Sequence, residues 1–160
     1  MSIHGVHDLH LVVLSIFIAI VASFTALSLA GRVRASRDRA RRLWLAAAAV
    51  ALGGGIWSMH FVAMLAFSMP GIPIGYDLAL TLVSLALAIG FTGGGLALMD
   101  WSAPTRRRTL AAGLLIGSGV ASMHFVGMAA MRSPTTLSYD PLWVAIAIAI
   151  AVVAATIAVW

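Results

Sequence analysis

The chain has 160 residues, 62% of them hydrophobic and 9% charged, with a mean hydropathy of +1.05. Soluble domains carry about 25% charged residues, so the composition excludes a water-soluble globule and makes lipid the solvent. The net charge of +5 comes from arginine alone, because Lys and Glu are absent, and there are no cysteines. That removes disulfides, thiolate zinc sites and cysteine nucleophiles, while the confinement of nine arginines to two short clusters points to membrane topology and not to nucleic acid.

His4, His7, Asp8 and His10 stand at the start of the first apolar stretch. No basic n-region precedes it and the cleavage signal is weak, so it reads as a retained helix and not as a signal peptide. Five segments reach the roughly 20 apolar residues that a crossing needs: Leu9–Gly31, Leu43–Ser68, Leu78–Met99, Thr109–Met131 and Leu142–Trp160. The first loop holds Arg32, Arg34, Arg37, Arg39, Arg41 and Arg42, and the third holds Arg106, Arg107 and Arg108. The second loop, Met69–Asp77, has no basic residue, and the fourth has only Arg132. Cytoplasmic loops are the basic ones, which sets the N-terminus outside. Tyr76 and Tyr139 then mark the outer headgroup level, and Trp44, Trp101 and Trp160 the inner one. Asp77 and Asp140 are expected to cap helices, with Pro141 at a first helical position. The fold class is all-α: a polytopic transmembrane bundle of about five helices, built from two-helix repeats.

An internal repeat is legible. Tyr76-Asp77 and Tyr139-Asp140 open units, with His7-Asp8 as a weaker match, and Leu14-Ser15 corresponds to Val83-Ser84. Ser58-Met59-His60-Phe61-Val62-Ala63-Met64 returns as Ser122-Met123-His124-Phe125-Val126-Gly127-Met128. Each unit is two helices with the motif late in the second. Asp140 opens a third unit that has not reached its motif at Trp160, which reads as truncation of one domain, 1–160. Gly113 with Gly117, Gly90 with Gly94, and Gly53-Gly54-Gly55 are expected to mark close helix approach.

His60 and His124 fall at one depth in two parallel helices. Met64 and Met128 follow each by four residues and so share its face; Met131 continues that face, whereas Met59 and Met123 point about 100° away. Thioethers suit Cu(I), and imidazole suits copper in either state, so two His with one or two Met and no carboxylate or thiolate resembles a copper set. Polar groups inside lipid usually mark a site or pathway. His10 is a candidate to complete the set, and His4 and His7 are read as a solvated N-terminus with weak external metal capture as the alternative. The arginine runs anchor topology, with anionic lipid as the further contact.

Paired-helix repeats carrying Met-His-x-x-x-Met resemble the MHYT family of bacterial membrane sensor domains over essentially the whole chain. The resemblance rests on Trp57 to Phe67, on Met123 to Met131 and on the Tyr-Asp openings. It implies a sensory domain that binds copper through His and Met, responds to oxygen, carbon monoxide or nitric oxide, and precedes a cytoplasmic signalling module of the cyclic-di-GMP type. Both copies read Met-His-Phe-Val where the family name reads Met-His-Tyr-Thr, so no hydroxyl stands there. The alternatives are haem held by two axial His and copper handling or transport. An enzyme is not expected, since no nucleophile–base constellation appears.

Overall fold

The computed structural model describes residues 6–68, 74–99, 103, 105–132 and 140–160. Five helices dominate these residues: α1 (Leu9–Ala35), α2 (Asp38–Ala66), α3 (Leu78–Leu98), α4 (Arg106–Ala130) and α5 (Pro141–Val159). All are long and apolar enough to cross a membrane. At 1.5 Å per residue, the 27 residues of α1 and 29 of α2 make helices of roughly 40 Å, longer than a hydrocarbon core of about 30 Å. The excess lies at the arginine end. Only Ser36 and Arg37 separate α1 from α2, and Asp38 takes the turn with φ 50°, a conformation that Asp tolerates better than most residues.

This corrects the expected boundaries. Arg32 and Arg34 belong to the last turns of α1, and Arg39, Arg41 and Arg42 to the first turns of α2, while Arg106, Arg107 and Arg108 open α4. Arginine is a good helix former, so the helices run on past the apolar span. Arg32 lies over the Trp44 ring, 4.8 Å from its centroid. His4, Trp101 and Tyr139 fall outside the described residues.

The opposite end carries two short antiparallel pairs. Strand β1 (Val6–His7) pairs with β2 (Phe67–Ser68), and β3 (Gly75–Tyr76) with β4 (Met131–Arg132). Each pair closes one two-helix unit in the same way: the Asp8 N–H donates to the Ala66 carbonyl at 2.8 Å, and the Asp77 N–H to the Ala130 carbonyl at 2.8 Å. The same aspartates then cap the next helix. Asp8 accepts from the His10 and Leu11 N–H groups, Asp77 from Leu80 and Asp140 from Leu142. The backbone N–H of Leu80 and then the Arg132 guanidinium, which is ion-paired with Asp77, hold the Asp77 carboxyl below the usual carboxylate range. Met131, expected on α4, is in β4 opposite Tyr76.

Packing is serial: α1 on α2, α2 on α3, α3 on α4 and α4 on α5, with α2 touching α4 over a short stretch. Glycine sets the approach at several contacts. A Cβ on Gly53 would lie 2.7 Å from the Ala88 carbonyl oxygen, and on Gly117 2.5 Å from the Val152 Cα. Gly113 abuts Thr156 in the same way, so the Gly113/Gly117 pair does seat α5 on α4. Gly54 and Gly90 correct the expectation, since a Cβ on either meets nothing within 4 Å. No residue of α5 is buried, and its Leu142, Ile146, Ile150, Val153 and Ile157 are exposed to the surroundings that lipid would supply.

Candidate functional site

His60 lies six residues before the end of α2 at Ala66, and His124 six before the end of α4 at Ala130. That places both about 9 Å along the helix axis from the strand end of the bundle, somewhat shallower than helices ending at Ser68 and Met131 would give. The two rings meet edge to face, with centroids 4.9 Å apart and an interplanar angle of 64°. Gly127 of α4 faces the His60 ring: a Cβ there would sit in ordinary contact, 3.4 Å from His60 Nε2 and from the Phe61 ring.

His60 Nε2 is buried and has no hydrogen-bond partner among the described residues. Leaving such a group unpaired costs about 1–3 kcal/mol, so an orphaned imidazole nitrogen inside an apolar helix pair calls for an explanation. A cavity of about 200 Å³ adjoins the pair, walled by α2, α4 and α5. His60, His124, Met59, Met123, Phe125 and Ala147 are among its lining residues. Met123 is 1% exposed, and no carboxylate lines the cavity.

The structure therefore brings His60 and His124 together but distributes the methionines differently from the helical-face reading. Met59 and Met123 are on the cavity wall, and Met64 and Met128 are not among its lining residues. His10 is not brought to the pair: its side chain is fully exposed and its Nδ1 lies 3.4 Å from an Asp8 carboxylate oxygen. His7 is exposed and packs on Phe67 with centroids 5.3 Å apart. Among the described residues no three His, Cys, Asp or Glu side chains converge, so beyond the two imidazoles the side-chain donors on the cavity wall are the thioethers of Met59 and Met123. An orphaned imidazole, a second one in contact and two thioethers on the wall fit a soft ion. They do not fit haem, because imidazoles in edge contact leave no slot for a macrocycle between them.

Around the pair is an aromatic frame that spacing alone did not reveal. Trp57 stacks on Phe61 at 4.6 Å, and Phe61 meets Tyr76 at 6.0 Å, linking the histidine level to β3. The Trp57 indole N–H donates to Ser84 Oγ at 2.9 Å across the α2–α3 contact. Ser84 is fully buried, and its own hydroxyl donates to the Thr81 carbonyl at 2.7 Å. The match of Ser84 with Ser15 in the repeat was the available signal; Ser15, too, is buried and bonds the carbonyl three residues back.

Comparison with known proteins agrees with this repeat architecture. The profile of the MHYT repeat, described as a bacterial signalling protein N-terminal repeat, matches residues 1–50, 53–113 and 117–160. Its cuts fall inside α2 and α4, just ahead of each histidine motif. The chain is 50% identical over 150 residues to the bifunctional diguanylate cyclase/cyclic di-GMP phosphodiesterase MucR of Pseudomonas aeruginosa, covering 94% of this chain and 22% of that protein. It is 43% identical to the cyclic di-GMP phosphodiesterase NbdA of the same organism, covering 91% and 18%. The signaling protein YkoW of Bacillus subtilis is 32% identical, with coverage of 96% and 19%. The chain thus spans about a fifth of the length of these relatives. No solved structure matches it. With the profile covering nearly the whole chain, and these relatives aligned along more than nine-tenths of it, this multi-pass membrane protein belongs to the MHYT family of bacterial signalling-protein repeats.

Proposed function

We propose that this MHYT sensory domain binds one copper ion at His60 and His124 and reports a diatomic gas or redox change to a signalling module. The observation that carries the reading is the His60–His124 contact, in which one buried imidazole nitrogen has no partner among the described residues. Met59 and Met123 are the thioethers best placed to join them. Copper would supply a redox-active, gas-binding centre. The chain's own part is to hold two imidazoles from two repeats against each other in a pocket without carboxylates.

Because α2 and α4 touch over only a short stretch, the histidine level is where a change in ligation would move one repeat against the other. Such coupling requires two packings with different affinity for the ligand. The relatives' names associate this domain with cyclic-di-GMP synthesis and breakdown, and we assign the corresponding output to a cytoplasmic module. The arginine-rich end faces that compartment by the positive-inside rule, which puts the histidines in the outer half of the inner membrane.

The test is copper loading of the purified protein in detergent, followed by elemental analysis. Bound copper is expected in the wild type and lost in the H60A/H124A variant; no copper in the wild type, or the same amount in the variant, would sink the reading.

A further inference from the structure

The two repeats do not fill equivalent space. Their helix contacts are in register: Gly53 abuts Ala88 and Ile89, while Gly117 abuts Val152, the counterpart of Ile89. His60 and His124 are offset by 64 positions, and the capping aspartates Asp77 and Asp140 by 63. Those offsets carry Trp57 onto Ala121 and Ser84 onto Ala147. In the first repeat an indole ring occupies the α2–α3 contact and donates to Ser84. In the second, both partners are alanine, and both alanines line the 200 Å³ cavity beside His124. The cavity is the space of a Trp–Ser pair that the second repeat lacks.

We propose that this cavity binds a neutral, planar aromatic ring of about the size of indole. Volume supports it: an apolar cavity of about 150 Å³ holds benzene, and the 200 Å³ here, open on the α5 side where Ala147 and Ile148 are exposed, admits a somewhat larger ring. The walls suit a ring face, with Met59 and Met123 offering thioether–aromatic contacts and Phe125 an edge. A neutral ligand is required, because no charged side chain lines the space. The His124 ring, on the cavity wall, supplies a polar edge. The first repeat shows that an indole packs in this frame of helices. The proposal rests on the cavity's shape and concerns the metal-free protein, in which Met59 and Met123 line the cavity and hold no ion.

The full chain in lipid nanodiscs, kept metal-free with chelator, is titrated with 5-fluoroindole and followed by fluorine NMR, with empty nanodiscs as the blank. The expected result is saturable binding near one per chain, displaced by unlabelled indole. A121W/A147S restores the first repeat's pair in the second, and its affinity should fall at least about tenfold while the thermal midpoint holds or rises. A151L, which narrows the same cavity from α5, should also lose binding and serves if the double variant does not fold. Uptake no greater than in empty nanodiscs, or binding retained when the cavity is filled, overturns the proposal.

Discussion

Replacing Trp57 with Phe keeps an aromatic ring on Phe61 but removes the indole N–H that reaches Ser84 Oγ at 2.9 Å. The cost follows from what is left behind. Ser84 retains its bond to the Thr81 carbonyl at 2.7 Å, so no hydroxyl hydrogen is orphaned, and the loss is that of one neutral bond. Such a bond is worth about 0.5–1.5 kcal/mol, and polar pairs between transmembrane helices average about 0.6 kcal/mol. W57F should therefore cost about 0.6–1 kcal/mol, and S84A, which leaves the indole N–H without its acceptor, at least as much. Because both delete the same interaction, the W57F/S84A variant should cost less than the two added, with a coupling of about 0.6 kcal/mol. W57A also opens a void beside Phe61 and should cost about 3 kcal/mol, toward the lower end for a Trp truncation because the side chain is half-buried. Unfolding in mixed micelles, followed by far-UV circular dichroism, measures all four. Strict additivity of W57F and S84A, or a W57A cost below about 1 kcal/mol, would refute the reasoning.

The other expectations are as direct. Gly117→Val drives a side chain into Val152, where even a Cβ would lie 2.5 Å from its Cα; overpacking of this kind costs about 1–3 kcal/mol, seen as a lower unfolding midpoint. Gly90→Ala meets nothing and should instead stabilise α3 by up to about 1 kcal/mol through helix propensity. Asp77 has a folded pKa below its unfolded value, held there by the Leu80 N–H and by Arg132. Its contribution is thus present above the usual aspartate value of about 3.9 and lost as pH falls through the folded one. Stability measured from pH 6 to pH 2.5 should decline at the acid end, and D77N should flatten that decline.

The helices were legible because five uninterrupted apolar runs have no alternative in lipid, and the unit because Met-His-Phe-Val occurs twice at one depth. Boundaries were less so. Hydropathy ends at Gly31 and resumes at Leu43, yet the chain between them is helical except at Ser36 and Arg37, because helix hydrogen bonding does not stop where lipid does. Strands of two residues, such as Gly75–Tyr76, carry no periodicity to read, and the Tyr-Asp openings marked repeat boundaries without revealing a strand. At the site, a four-residue step fixes which residues share a helix face but not where three helices leave a void. The cavity wall is set by α5 and by glycine approaches, and so includes Met59 and Met123 in place of Met64 and Met128. Likewise, the Trp57-to-Ala121 difference is printed in the sequence, but its consequence appears only once Ala147 is seen opposite.

The central claim is that His60 and His124 form one site shared between repeats. Copper per chain, measured on wild type, H60A and H124A after identical loading and desalting, tests it most directly. A shared site predicts about one copper in the wild type and almost none in either single variant. Two coppers in the wild type with one remaining in each variant, or copper indifferent to both substitutions, would contradict it.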